Sequence, residues 1–200
     1  MKRFGRIYFI CLVLTLLMSR TFVFGQEKNY FARPGIGLSI GSWSPINLDI
    51  AKAVDLASTK TSPFSSIFFI TPFSGGSALR LGLGFWRQFN VEDEPGVNSV
   101  VVLPLSVDLK HQMIPQARLS PYVSYGLTAY FGAENPEENR HQATELGLGG
   151  SVGAGLDYAA SHRWVVGVEF QYVYAQLRHK IGQTDNYSGP KITLTFSYMF

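Results

Sequence analysis

Lys191-Ile-Thr-Leu-Thr-Phe-Ser-Tyr-Met-Phe200 ends the chain and decides its fold. Apolar side chains stand at every second position of this stretch, and most of the positions between them carry small or polar residues. Because successive side chains of a β-strand point to opposite faces of a sheet, the pattern predicts a strand with one apolar face. Such a strand suits a sheet that separates hydrocarbon from water. The residues of the apolar face are Ile192, Leu194, Phe196, Tyr198 and Phe200.

The sequence also predicts strands in seven earlier segments, and most of them are long enough to span a membrane. A tilted membrane strand needs about 9–11 residues, and bacterial single-chain barrels use even numbers of strands from eight upward. The sequence therefore predicts an all-β fold, an eight-stranded antiparallel up-and-down barrel. Alternation is weakest in the second segment, so its register is the least determined. The predicted strands lie at about 34–43, 64–72, 77–89, 98–110, 120–132, 144–158, 163–177 and 189–200.

The connections between these segments differ in length. Those at 44–63, 90–97, 133–143 and 178–188 are mostly long and polar, whereas those at 73–76 and 159–162 are short and 111–119 is intermediate. Barrels have short periplasmic turns and longer external loops, which would put both chain ends in the periplasm. Within the first long loop, Ile46 to Leu56 could form a short amphipathic helix.

The first 25 residues have the features of a cleaved secretory signal peptide. Lys2, Arg3 and Arg6 precede an apolar run from Ile7 to Met18, which is too short for the roughly 20 residues of a membrane helix. We expect a short periplasmic segment at 26–33 and a barrel domain at 34–200.

Removal of this leader changes the charge balance. It leaves 13 basic and 14 acidic residues, a net charge of −1, so the basic pI of the precursor does not indicate nucleic-acid binding. The only cysteine, Cys11, leaves with the leader, so no disulfide is expected.

Alternation alone does not say which face is inside, and a secreted sandwich or lipocalin-like barrel would bury the apolar face instead. Two features favour the membrane barrel. Several strands are 12 or more residues long, and the opposite face carries Gly, Ser and Thr rather than the Lys and Glu of a water-exposed surface.

Several motifs resemble small outer-membrane β-barrel proteins of the OmpA, OmpX and OmpW kind. They are Pro121-Tyr-Val-Ser-Tyr-Gly126, Gly153-Ala-Gly-Leu-Asp-Tyr158, Arg163-Trp-Val-Val-Gly-Val-Glu-Phe-Gln-Tyr172 and the terminal aromatic strand. The resemblance covers about residues 34–200. It implies residence in a Gram-negative outer membrane, and it implies that Phe196, Tyr198 and Phe200 form the assembly signal read by the barrel-insertion machinery.

Aromatic residues of the apolar face cluster near the strand ends and suit two interfacial girdles. Tyr158, Trp164, Tyr198 and Phe200 would form the inner girdle, and Phe131, Tyr172 and Tyr174 the outer one. Trp43 and Trp86 have the opposite parity, so we expect them to fill or cap the lumen.

Five charged residues also have inward parity: Arg80, Asp108, Lys110, Asp157 and Glu169. A hairpin centred near Glu94 would place Arg80 opposite Asp108 as a buried ion pair, and the five could form a polar plug because buried charges are tolerated when they are paired. Internal scaffolding is the ordinary interpretation of such a plug, and a solute path or proton-sensitive gate is the alternative.

Inward glycines between residues 147 and 155 have a structural explanation. A symmetric hairpin around 133–143 would set Tyr130 opposite Gly147 and Tyr122 opposite Gly155, so that aromatic rings cover glycines and fill the lumen. Gly149-Gly-Ser-Val-Gly153 matches the G-x-S-x-G nucleophile motif, but that motif needs a sharp strand-to-helix turn, which the unbroken alternation here contradicts.

Three functions remain open at this point. The first is a structural or surface-interaction barrel with a packed lumen, which we expect to be monomeric and whose partners are outer-membrane lipid and lipopolysaccharide. The second is an OmpW-like passage for small or hydrophobic solutes. The third is a lipid-modifying enzyme, for which His179 and Ser188 could meet across the last loop although no motif supports it. The histidines have no ligand spacing, so we expect no metal and no cofactor.

Overall fold

The computed structural model describes residues 29–46, 62–89, 97–136, 144–181 and 184–200, and β-strands occupy most of these ranges. No helix within them is long and apolar enough to cross a bilayer. The strands are β1 (Gly35–Trp43), β2 (Ser62–Ser74), β3 (Ser77–Phe89), β4 (Val97–Gln112), β5 (Leu119–Pro136), β6 (Thr144–Ala159), β7 (Trp164–Ile181), β8 (Thr184–Asn186) and β9 (Gly189–Met199).

The strands form one closed antiparallel sheet. Each of β1 to β7 pairs with the next strand along the chain, and β9 pairs with both β7 and β1, which closes the ring. The three-residue strand β8 pairs with β7 just beyond β9, so β8 and β9 are two parts of the last barrel strand. This architecture confirms the predicted eight-stranded barrel, in which the first and last long strands pair with each other and close the sheet.

The register of two hairpins follows the prediction. Arg80 lies opposite Asp108 in the β3–β4 pair. Tyr130 lies opposite Gly147, and Tyr122 lies opposite Gly155. The ring of Tyr122 covers Gly155 as expected.

One aromatic ring covers a different glycine from the predicted one. A Cβ atom at Gly149 would lie 3.0 Å from Cε2 of Tyr130, whereas the side-chain neighbour of Gly147 is Leu177. The Tyr130 side chain therefore reaches two residues along β6, a diagonal contact that long side chains can make across neighbouring strands.

The strands are longer than predicted at the loop-bearing end. β5 extends to residue 136 and β7 to residue 181, because backbone pairing continues past the point where the apolar alternation stops. β2 begins at Ser62 and contains an irregularity between Pro72 and Ser74, where proline has no N–H to donate. Of the predicted helix at 46–56, only Ile46 is described, in a turn, and the rest lies outside the described residues.

The distribution of polarity is the reverse of that of a water-soluble protein. Large apolar side chains are exposed around the whole barrel, with Leu127 at 76% and Leu148 at 74%, while Arg80, Asp108 and Glu169 are buried. A continuous exposed apolar surface of this extent requires an apolar surrounding. The apolar faces of the strands therefore form a belt toward lipid, and the polar faces line the interior.

Candidate functional site

The interior of the barrel is filled in three layers, which we call the outer cap, the polar layer and the inner plug. The outer cap lies at the loop-bearing end and consists of packed aromatic and aliphatic side chains. Its members are Trp43, Phe64, Trp86, Val100, Val102, Tyr130, Val173, Ala175, Leu177, Ile181 and Tyr187.

Two tryptophans form the centre of the outer cap. The ring centroids of Trp43 and Trp86 are 5.4 Å apart, and Tyr130 lies 6.0 Å from Trp43. The indole N–H of Trp86 donates to the backbone oxygen of Trp43 at 3.0 Å. Both tryptophans are at most 1% exposed. The prediction that they point inward and cap the lumen is therefore confirmed.

The polar layer is organised around the Arg80 guanidinium. Its Nη1 and Nη2 atoms donate to the two Glu169 oxygens at 2.7 and 3.0 Å, and its Nε donates to Asp108 Oδ2 at 3.4 Å. A bidentate arginine–carboxylate pair is among the stronger hydrogen-bonded contacts in proteins. Arg80 therefore ties β3 to β4 and to β7 across the lumen.

Small polar side chains complete the hydrogen bonding of these carboxylates. Ser124 and Gln171 donate to Glu169 Oε1 at 2.7 and 3.1 Å. Ser106 donates to Asp108 Oδ2 at 3.1 Å, and Ser151 donates to Asp108 Oδ1 at 3.3 Å. Asp108 also requires Gly126, because a Cβ atom there would collide with its carboxylate.

A second cluster holds Lys110 and Asp157. Lys110 Nζ lies 2.6 Å from Asp157 Oδ2, which also accepts from Gln112 Nε2 at 2.5 Å. The ammonium also lies 3.7 Å from the centroid of the Tyr122 ring, a cation–π contact. The five predicted charged residues are thus all inside, where three are joined by hydrogen bonds around Arg80 and the other two form the Lys110–Asp157 ion pair.

Lys191 is a charged lumen residue that the sequence did not identify as part of the polar layer. It lines a cavity with Arg80, Asp108 and Glu169, and its Nζ lies 4.6 Å from the Phe64 ring centroid. The alternation of the terminal strand already indicates that Lys191 points inward. The pairing of β8 with β7, which extends the barrel wall beyond Lys191, could not be predicted from that alternation.

The cavity beside Lys191 has a volume of about 40 Å³. Since one water molecule needs about 10–15 Å³ of such volume, it has room for about three water molecules. Its walls carry charged groups together with serine and threonine hydroxyls, so it can hold water but not a larger solute.

The inner plug closes the opposite end of the barrel, and it includes the segment that precedes β1. Phe31 is 8% exposed and packs with Phe68, Val165 and Met199, together with Ile70, Ala78 and Ala159. The backbone N–H of Tyr30 donates to Pro115 O at 3.2 Å, which holds the segment across the inner mouth. The sequence predicted this segment only as a periplasmic extension, because residues 26–33 show no strand periodicity.

The residues considered for catalysis are not assembled into a catalytic group. His179 Nδ1 lies 2.9 Å from Glu145 Oε1, whereas Ser188 Oγ accepts from the Ala175 amide at 3.1 Å. Gly149–Gly153 lies within the unbroken strand β6, and Ser151 faces Asp108. Among the described residues, no three His, Cys, Asp or Glu side chains are grouped as metal ligands.

The aromatic residues predicted at the strand ends lie on the outer surface. Trp164 and Tyr198 make an edge contact at 5.1 Å, and Tyr198 contacts Phe200 at 6.0 Å. At the other end, Tyr172 and Tyr174 are 45% and 54% exposed. These positions fit the two interfacial belts of a membrane barrel.

A protein-family model described as "Outer membrane protein beta-barrel domain" matches residues 9–200 of the sequence. No curated protein matches it.

Several solved structures share the fold. Neisserial surface protein A superposes with a TM-score of 0.60 at 10% identity, over 84% of this chain and 95% of that one. The outer membrane protein OprG of Pseudomonas aeruginosa gives 0.52 at 17% identity, over 84% and 93%. Ail, the attachment invasion locus protein of Yersinia pestis, gives 0.51 at 12% identity, over 84% and 97%. At these identities the likeness describes the fold.

Proposed function

Because this chain belongs to the outer membrane protein beta-barrel domain family, we propose that it is a sealed barrel with a structural or surface-interaction role in the outer membrane. The signal-peptide features of residues 1–25 support export and cleavage before insertion. The single observation that carries the sealed state is the layered interior, in which the polar layer lies between two apolar closures.

The small volume of the cavity and the burial of the two tryptophans support a closed lumen. The cavity in the polar layer has room for only about three water molecules, and the Trp43–Trp86 pair above it is essentially inaccessible. An eight-stranded barrel is just wide enough to be filled by side chains, so large aromatic rings close it without a separate plug domain. The charged groups then act as scaffolding that joins strands across the interior.

Solute passage is the second candidate. The observation in its favour is the polar cavity with its Lys191 side chain, since polar groups in a membrane interior often belong to a solute path. Passage would require both the outer cap and the inner plug to open. A sealed barrel and a solute passage therefore differ in the rate at which a solute crosses the membrane, and this rate can be measured.

A liposome assay on the refolded mature protein tests the proposal. Vesicles containing the barrel should release a small entrapped solute no faster than protein-free vesicles, whereas vesicles with an open porin should release it quickly. A variant that truncates both closures, with Trp43→Ala, Trp86→Ala and Phe31→Ala, serves as the matched opened form. Flux through the unmodified barrel at the level of this variant would contradict a sealed lumen and support passage.

The proposal includes the absence of catalysis. His179 contacts Glu145, and Ser188 is engaged by a backbone amide, so the pair considered for lipid modification is not arranged as nucleophile and base. Lipid A from cells that lack the protein should be chemically identical to that of the parent strain. An altered acylation pattern would argue for the enzyme.

A further inference from the structure

The outer surface of the apolar belt has a groove near the loop-bearing end, where β4, β5 and β6 lie side by side. Two rows of side chains that run across these strands border the groove. The lower row contains Leu103, Phe131 and Leu146, which are large, and the upper row contains Val101, Ala133 and Thr144, which are smaller. Because the upper row is smaller, the surface recedes there and leaves a groove of about 450 Å³.

Two cations of β7 extend these rows. The last regular pair of β6 and β7 is Gly147 with Leu177, and the contact between Glu145 and His179 shows that the same register continues above it. Arg178 therefore lies beside Leu146 in the lower row, and Lys180 lies beside Thr144 in the upper row. Both cations are exposed.

The groove and the two cations lie at the height of the lipid head groups. Tyr174 and Tyr172 precede Arg178 along the same outward face of β7, and exposed tyrosines of this kind mark the membrane interface. Arg178 and Lys180 are four and six residues beyond Tyr174, so they lie on the outer side of the aromatic girdle, where lipid phosphates are found. Among the described residues that line the groove, Glu145 carries the acidic side chain, and its Oε1 is engaged by His179.

We propose that Arg178, Lys180 and the groove bordered by Ala133 and Thr144 form a binding site for a phosphorylated, multiply acylated lipid of the outer leaflet. An acyl chain would fill the groove against Phe131 and Leu103, and the head-group phosphates would contact the two cations. Residues two apart on one strand are about 6.6 Å apart, so the cations can contact different oxygens of one head group. A single-phosphate diacyl lipid satisfies fewer of these contacts.

The proposal rests on membrane residence but not on a sealed lumen. The site is on the lipid-facing surface, so a barrel that leaks could still bind the lipid, and a sealed barrel could lack the site. Loss of lipid binding would therefore not contradict a sealed lumen, and leakage from vesicles would not contradict the lipid site.

The test uses the refolded mature protein in detergent with diphosphorylated lipid A as the probe, and native mass spectrometry or displacement of labelled lipid A as the measurement. Arg178→Gln and Lys180→Gln should each weaken binding about fivefold, and together about 25-fold, from the usual contribution of a cation at an anionic membrane surface. Arg163→Gln removes an exposed cation at the opposite end of the barrel and should bind as the parent does. Exchange of the two cations, Arg178→Lys with Lys180→Arg, keeps both positive charges, so it should weaken binding less than either single neutralisation does.

Ala133→Phe fills the groove and should also reduce binding several-fold, whereas Ala129→Phe, on the same face of β5 but outside the groove, should not. Phosphatidylglycerol and phosphatidylcholine should compete poorly with lipid A. Binding of lipid A within twofold of the parent in the doubly neutralised variant, or equal binding of phosphatidylglycerol, would overturn the proposal. Folding of each variant is checked by its heat-dependent gel mobility.

Discussion

Replacing Arg80 with leucine removes the guanidinium that joins β3, β4 and β7 inside the barrel. Glu169 would lose two hydrogen bonds, of 2.7 and 3.0 Å, and Asp108 would lose its contact at 3.4 Å. Both carboxylates are at most 3% exposed, so bulk solvent does not reach them to replace the lost partner. Breaking one side of a buried ion pair costs about 3–5 kcal/mol, and we expect a loss of that size in the free energy of unfolding.

Urea unfolding in detergent micelles, followed by tryptophan fluorescence, measures this loss. Trp43 and Trp86 lie in the outer cap, so their emission should shift when the barrel opens. Glu169→Gln and the double variant complete a mutant cycle, and the double variant should be more stable than the sum of the single losses predicts, by about 0.5–3 kcal/mol. Arg163→Leu, at an exposed arginine, should stay within about 0.5 kcal/mol of the parent.

Two results would refute this account of the polar layer. One is a loss below about 1 kcal/mol for Arg80→Leu, which would mean that the carboxylates find other partners or water. The other is full additivity in the cycle, which would mean that Arg80 and Glu169 do not depend on each other. If the network is scaffolding, Arg80→Leu should destabilise the barrel and leave vesicle flux unchanged. A stable variant with altered flux would favour a gate.

Three further predictions follow from packing and from the chain end. Deleting Phe200 should lower the fraction of protein assembled in the outer membrane, measured by heat-dependent gel mobility, and normal assembly would count against its role as a signal. Phe31→Ala should cost about 1.5–3 kcal/mol in urea unfolding without raising vesicle flux, because the outer cap stays closed, and a leak would show that the inner plug alone seals the lumen. Gly155→Ala should reduce the refolded yield because its methyl group would meet the Tyr122 ring and a backbone oxygen. Gly82→Ala should reduce it less, because the close contact of its methyl group is with the Ser106 hydroxyl alone, which can move at the cost of its 3.1 Å hydrogen bond to Asp108. Equal yields would contradict this reading.

The period-two pattern was sufficient to predict the fold, the faces of the strands and part of the register. Backbone geometry fixes which face of a strand each side chain occupies, so Trp43 and Trp86 could be placed inside from the sequence alone. Hairpin symmetry then placed Arg80 opposite Asp108, because loop length sets the register of neighbouring strands.

Contacts between strands that are distant in sequence could not be predicted in the same way. Glu169 contacts Arg80 across the lumen, a separation of 89 residues, and no local pattern specifies which inward groups meet there. The position of Lys191 depends on how far the ladder extends above it, and the inner plug depends on how a short aperiodic segment packs around Phe31. These features arise from the stagger of the closed barrel.

The contact between Arg80 and Glu169 also constrains the order of assembly. Arg80 belongs to the third strand and Glu169 to the seventh, so their ion pair can form only when the sheet has curled far enough to bring the two halves face to face. An open sheet lying in hydrocarbon would carry both charges without their partners, at a cost of several kcal/mol for each ion. Entry into the bilayer and completion of the ring are therefore expected to be concerted steps, with the inward face kept in contact with water until the partners meet.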